Sequence, residues 1–431
     1  MVKVVIVGGG FAGCAAAVSA SKAGADVTLL ERTDMLLGCA LEAGAINGRG
    51  TFTAIEEAKA LGGGDLFEVI ESLTLYRVPY IRGAGGSYIY DLDKSEPTVR
   101  RFLEKAGVEI LFKSRATNVK TNKDRILSVT SKSREGVEET VKGDVFIDCT
   151  GCGGGMEYCI KYGKGCIMCM LRCPTFGDRI SIATKAGAPE LMSKRPDGTP
   201  GVVSSALCVS KASVSPKIRA ELEEKGAIQI PLPKELIDRK KPSIMTNPNL
   251  PKEHVENVSM CNVGGYYKLI GQPYFPLDQL RKVPGLENAR IINFGTSDWN
   301  SIRYVSFAPR DNALIVKGFA NLLCAGEKSG PIVGIDSVII TGVLAGHNAT
   351  RIALGLKPLI LPRTLAVGDL IAYVGEMMQT EEGLKRGGYS PQGGIYFERM
   401  KQLNLYTDDI AMIRQRVEKA GLTGVFGKKL K

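Results

Sequence analysis

Histidine is almost missing: His254 and His347 are the only two in 431 residues. That scarcity argues against a Ser-His-Asp hydrolase and excludes a zinc centre built from several histidines. One tryptophan and 6% aromatic residues leave too few rings for a platform that stacks single-stranded bases. Long apolar runs are missing too. The most apolar stretch, residues 332–346, is interrupted by Asp336 and is too short to span a bilayer, so no membrane association is expected. Acidic residues fall short of basic ones, 45 against 56, leaving a net charge of +11. Such an excess suits a polyanionic partner such as tRNA or another RNA, and equally a basic surface with no such role. The first strand begins at Val2 with no charged leader or cleavable apolar segment ahead of it. The expectation is therefore no secretory signal and a cytoplasmic protein. In that setting the 11 cysteines read as core residues or as metal and redox groups, not structural disulfides. With 44% hydrophobic and 23% charged residues the composition is globular, and the length calls for at least two domains.

What is present begins at once. Val2-Lys3-Val4-Val5-Ile6-Val7 is a β-branched run suited to a strand buried on both faces. It runs into Gly8-Gly9-Gly10-Phe11-Ala12-Gly13, the GxGxxG spacing, then a small-residue helix to Ala23 and a second strand, Val27 to Leu30, ending in Glu31. Gly8 permits the tight turn, Gly10 lets the backbone approach a pyrophosphate, and Gly13 lets helix and strand pack closely. The helix N-terminus offers free N–H groups and a positive dipole end to phosphates. Glu31 is placed to accept ribose hydroxyls.

Two later segments favour FAD over NAD. Asp144 to Gly151 is a buried strand ending in Asp148-Cys149-Thr150-Gly151, and Leu322-Leu323-Cys324-Ala325-Gly326-Glu327 precedes a helix from Gly334 to Leu354. Both resemble segments of two-dinucleotide-domain flavoproteins, in which the chain passes close to FAD. The resemblance implies strands near the adenine at 108–112 and 116–119. It also implies a helix N-terminus facing the pyrimidine end of the isoalloxazine. The cofactor-contacting candidates are Gly8, Gly10, Phe11, Ala12, Gly13, Glu31, Arg32, Val119, Thr150, Gly151, Gly326, Glu327, Gly334 and Ile335.

Arg281-Lys282-Val283-Pro284-Gly285-Leu286-Glu287-Asn288-Ala289 and the stretch from Ala320 to Arg351 are more distinctive. Together with Leu361-Pro362-Arg363-Thr364 and Ser390-Pro391-Gln392, they resemble the flavoproteins that modify tRNA uridines, the MnmG (glucose-inhibited division protein A) and TrmFO family. The resemblance covers the N-terminal unit and the last third of the chain. It implies a nucleophilic or flavin-linked cysteine in an N-terminal loop, and Cys39 is the catalytic candidate; the alternative is a small residue buried for packing. The family's second cysteine has no clean counterpart. Cys208 and Cys261 remain by elimination, and no folate site is visible.

Least familiar is the segment from Cys149 to Cys173. Cys166-x-x-Cys169-x-x-x-Cys173-Pro174 repeats the end of the ferredoxin run CxxCxxCxxxCP without its first cysteine. The candidate metal ligands are Cys159, Cys166, Cys169 and Cys173, with Cys152 an alternative to Cys159. A 4Fe-4S cluster, a redox dithiol of Cys166 with Cys169, a structural zinc and plain buried thiols all remain open.

The expected architecture is α/β. A discontinuous Rossmann-like FAD domain of the two-dinucleotide-domain flavoprotein type spans residues 1–155 and 283–356. An inserted α+β domain with a cysteine-rich start occupies 156–282, and a mainly helical C-terminal segment 357–431. The function adopted is a FAD-dependent oxidoreductase whose flavin exchanges electrons with an iron–sulfur cluster. Its substrate and its small-molecule or protein electron donor are not named by the sequence. A folate- and FAD-dependent uridine-modifying enzyme and a flavin-binding scaffold are the alternatives. Association with a second copy of the chain stays open.

Overall fold

A computed structural model describes residues 1–46, 48–78, 87–151, 173–194, 198, 200, 202–205, 208–237, 256–270, 277–293, 298–386 and 388–430. Five short apolar runs form a parallel sheet: β1 (Lys3–Val7), β2 (Asp26–Leu30), β3 (Glu109–Leu111), β4 (Val145–Asp148) and β5 (Leu322–Cys324), in the order β5-β4-β1-β2-β3. Side-chain alternation divides these strands between two layers. Val4, Ile6, Val27, Leu29, Val145, Ile147 and Leu323 face helices. Val5, Val7, Leu30, Phe146, Leu322 and Cys324 face an antiparallel meander of Arg115–Asn122, Arg125–Lys132 and Glu138–Lys142.

The helical layer contains α1 (Phe11–Ala23), α2 (Thr51–Ala60) and α3 (Ile335–Ala353). Helices α1 and α3 meet backbone to backbone. An added Cβ would lie 2.4 Å from the Ala12 carbonyl oxygen at Gly342 and 2.1 Å from that of Ala16 at Gly346. The Ser19 hydroxyl donates to the Val343 carbonyl at 2.7 Å across this contact. The chain thus returns over about 300 residues to lay α3 on the helix that follows the glycine loop.

A second sheet has its own core. Its strands run Ala227–Pro231, Asn257–Asn262, Tyr267–Ile270, Cys208–Val209 and Ile291–Asn293, all antiparallel. The helix Pro216–Lys225 covers it, started by Ser215 accepting from the Ile218 N–H with Pro216 in the first turn. Near the boundary expected at 282 the chain packs with this second sheet. Val283, Leu286 and Ala289 pack in this second core with Leu222 and Met260. Gly285, at φ +85°, makes the turn; an added Cβ there would strike Ile218 Cδ1 at 2.3 Å. The chain rejoins the parallel sheet at β5, which pairs with β4. Conversely, Ile182, Ala183 and Ala188 pack on the first sheet's meander side, before the second core begins at Cys208–Val209.

The C-terminal segment is mainly helical, with α4 (Ala366–Met377) and α5 (Ile410–Lys419). Glu57 of α2, fully buried, binds both. One carboxylate oxygen accepts from the Ala366 N–H and from Arg416, the other from the Val367 N–H, each at 3.0 Å. Asp369 and Arg399 add a two-pronged ion pair at 2.7 and 2.8 Å. Among the described residues no helix is long and apolar enough to cross a membrane.

Candidate functional site

The glycine loop connects β1 to α1, and its three key glycines have separate reasons. Gly8 has φ +103°, and an added Cβ would meet the Cys149 carbonyl oxygen at 2.5 Å. At Gly13 it would lie 1.9 Å from the Gly8 carbonyl oxygen, so only glycine lets the helix begin there. At Gly10 nothing comes nearer than the Leu37 carbonyl oxygen at 4.0 Å. The Gly10 face is thus open to a ligand. Helix α1 starts at Gly10 with no side-chain cap and no acid in its first turn, leaving donors and dipole uncompensated. Phe11 turns into the core, and the Ala12 methyl lies where the return segment approaches, 2.8 Å from an added Cβ on Gly326.

Glu31 does more than the sequence suggests. Its carboxylate, 6% exposed, accepts from the Gly9 N–H at 2.8 Å and from the Thr33 N–H and hydroxyl, each at 2.8 Å. The ribose candidate therefore also fixes the glycine loop. Arg32 donates to the Gly177 carbonyl at 2.6 Å. Val119 packs its side chain on the meander-side core, opposite Val129.

Further along, Asp148 is fully buried and organises the end of β4. One oxygen accepts from the Thr150 N–H and hydroxyl (3.1 and 2.6 Å), the other from the Ser181 hydroxyl and the Ala183 N–H (2.6 and 3.0 Å). Gly151, at φ +78°, lies beside Glu327 and Arg179; an added Cβ would be 3.9 and 4.0 Å from their polar tips. The Gly326 N–H donates to the Thr341 hydroxyl at 2.9 Å, fixing the turn Gly326–Ser329 to α3. Asp148, Arg179 and Thr341 escape the sequence reading. Asp148 alone had a local signal, as the first residue of the Asp-Cys-Thr-Gly turn.

A further buried carboxyl group stands at the N-terminus of α3. Gly334, at φ +102°, leads into Ile335 and the fully buried Asp336. Asp336 accepts from the Ser337 N–H at 2.8 Å and from the Thr51 hydroxyl at 3.0 Å. Burial pushes its carboxyl up to about 6. Gln392 crowds Gly334 from the C-terminal segment, 2.8 Å from an added Cβ.

Cys39 is half-buried in a short 3-10 turn, Gly38–Glu42, that lies on the glycine loop. The Leu37 N–H donates to the Gly9 carbonyl at 2.7 Å, and an added Cβ on Gly38 would be 3.6 Å from Gly10 Cα. Cys208 and Cys261 are fully buried, and burial pushes the Cys261 thiol up to about 12, the opposite of an activated nucleophile. Cys152, Cys159, Cys166 and Cys169 lie outside the described residues. Cys173 opens a four-residue helix, Cys173–Phe176, its side chain likewise outside what is described. Among the described residues no group of three or more His, Cys, Asp or Glu could hold a metal ion.

An open glycine at an uncapped helix start, a buttressing acid and a returning helix define a flavoprotein-type dinucleotide-binding unit. A family model described as FAD dependent oxidoreductase matches residues 3–157, and one described as Glucose inhibited division protein A matches residues 273–357. Over these two segments the chain is similar to the FAD-dependent oxidoreductases and to glucose-inhibited division protein A. It is 36% identical over 96 residues to the methylenetetrahydrofolate–tRNA-(uracil-5-)-methyltransferase TrmFO of Caldicellulosiruptor bescii, covering 22% of this chain and 21% of that one. The Moorella thermoacetica TrmFO is 38% identical over 102 residues, 23% and 22% of the two chains. The chain thus spans about a fifth of the length of the curated relatives it matches. In fold it is similar to Aquifex aeolicus GidA, with TM-score 0.61 and 16% identity over 97% of this chain and 76% of that one.

Proposed function

We propose that the protein is an oxidoreductase that holds FAD in this site. The single observation that carries the reading is the open Gly10 face at the uncapped start of α1, between two glycines that the fold itself demands. The residues fit the cofactor. N–H groups of the loop and of the first turn of α1 would hold the diphosphate, and Glu31 the adenosine ribose. Gly151 adjoins Glu327, and the turns Thr150-Gly151 and Gly326-Glu327 would hold the rest of the molecule, with Gly334 and Ile335 at its flavin end. Bound FAD supplies hydride and single-electron transfer. The chain supplies the rest: Glu31 and Asp148 fix the two turns, and the α3 N-terminus offers donors to developing negative charge. FAD stoichiometry and the visible spectrum of the purified protein test this reading. Yellow protein retaining FAD through gel filtration is expected; an apoprotein that refuses added FAD overturns it.

Within that reading, Cys166, Cys169 and Cys173, with Cys159 or Cys152 as fourth ligand, would hold an iron–sulfur cluster, which would supply single-electron exchange with the flavin. The ferredoxin-like spacing supports this. So does the chain on either side of the run, since Gly151 and Arg179 adjoin one another beside Glu327. Iron and sulfide analysis of anaerobically purified protein tests it; iron-free protein with intact FAD removes it.

A second reading, uridine modification in tRNA, is favoured by the TrmFO likeness and by the Cys39 turn lying against Gly10. Salt-dependent retention of tRNA is its test. No retention at low salt removes it.

A further inference from the structure

We propose that Lys268 is a positioning residue for Cys39, gripping the thiol-bearing turn from the second sheet. Lys268 stands in the strand Tyr267–Ile270 and is 4% exposed. Its ammonium donates to the Ala43 carbonyl at 2.8 Å. Among the described residues no carboxylate pairs with it. Burying an ammonium on a neutral carbonyl alone is unfavourable, and an apolar chain of equal length would fill the same space without that penalty. What the ammonium adds is its hold on Ala43, the residue that closes the turn Gly38–Glu42.

The opposite end of that turn is held by the first domain. Leu37, in the left-handed region at φ +68° and fully buried, donates to Gly9, and Gly38 rests on Gly10. Such a backbone is kept only when its surroundings determine it. Gly44, just after Ala43, is pressed on Val263, which follows the strand Asn257–Asn262 and is buried in the first core, 2.5 Å from an added Cβ. Cys39 therefore sits on a turn with one end on the cofactor loop and the other on the inserted sheet. Lys268 supplies the polar link between sheet and turn. A substrate that docks on the sheet thereby acts on the thiol's position. The inference rests on reading Cys39 as a working thiol, but its test does not need the substrate.

The test is alkylation of Cys39 by iodoacetamide, followed by peptide mass spectrometry, in the full chain and in Lys268→Met and Lys268→Arg. Cys261, paired with Lys268 in the ladder and fully buried, reports whether the sheet itself has loosened. Lys268→Met should speed Cys39 labelling at least about fivefold, the effect of losing one charged hydrogen bond, with Cys261 still protected. Lys268→Arg, which keeps a cationic donor, should stay within about twofold of the parent chain. An unchanged Cys39 rate in the Met variant overturns the proposal. So does equal acceleration in the Arg variant, or labelling of Cys261 in step with Cys39. FAD content, measured on the same samples, separates failure of the cofactor reading from failure of this one.

Discussion

The two ends of the proposed cofactor site are built in opposite ways. The glycine-loop end comes from one continuous stretch, residues 3–31, and its geometry is dictated by missing side chains: Gly8 and Gly13 admit no Cβ, and Gly10 leaves a face open. The α3 end is assembled from segments far apart in the chain, Thr51, Gly334 to Asp336, and Gln392, around a buried carboxyl group. A locally encoded end should fail all at once when its backbone is disturbed. An assembled end should fail by degrees, through the contacts that bring its pieces together.

The sharpest break is at Gly13. Gly13→Ala places a methyl 1.9 Å from a carbonyl that cannot move without moving β1. It should lower unfolding stability by about 3 kcal/mol or more and abolish FAD retention, as read by urea denaturation and flavin absorbance. Next comes Glu57, which carries the C-terminal segment that supplies Gln392. Burial pushes its carboxyl up, while Val367, Ala366 and Arg416 pull it down. Glu57→Ala leaves two helix N–H groups and Arg416 without their acceptor and should cost about 3 kcal/mol, with α4 and α5 exchanging amide hydrogens faster.

The assembled end should also respond to pH. The folded Asp336 carboxyl keeps its proton up to about 6, against an ordinary value of 3.8, so folding takes up a proton between those limits. Its contribution to stability is therefore lost as pH rises from about 4 to 6. His347 acts with the opposite sign in the same window: burial, with Arg351 nearby, lowers it to about 4, so its share is lost as pH falls. Only a difference between variants isolates either one. The advantage of Asp336→Asn over the parent chain should grow by on the order of 2 kcal/mol between pH 4 and pH 7, at roughly 1.4 kcal/mol per pKa unit. A flat difference would mean that the carboxyl does not titrate in that range. The smallest effect is expected at Thr341→Val, which leaves the buried Gly326 N–H without its acceptor. About 1 kcal/mol should be lost, and Thr341→Ser should restore it.

The same contrast governs what could be read from the sequence. The strand, glycine loop, helix, second strand and Glu31 were legible because each step depends on neighbours in the chain. That Glu31 holds the Gly9 N–H was not legible, since spacing does not show which way a carboxylate turns. Val283 to Asn293 were assigned to the cofactor domain by a family pattern. Their packing partners lie in the second core, where Gly285 turns beside Ile218 and Val283 and Leu286 cluster with Leu222. Lys268 carried no signal at all: a lysine in a strand of mixed composition reads as solvated until its Ala43 partner, 225 residues away, is seen.

The central claim is that the open face at Gly10 is where FAD lies. Equilibrium titration of apoprotein with FAD, comparing the parent chain with Gly10→Ala while circular dichroism monitors the fold, tests it most directly. The account predicts one FAD per parent chain, and a variant that folds as well as its parent but binds at least about tenfold more weakly. A folded parent chain that takes up no FAD, or a Gly10→Ala chain with undiminished affinity, would contradict it.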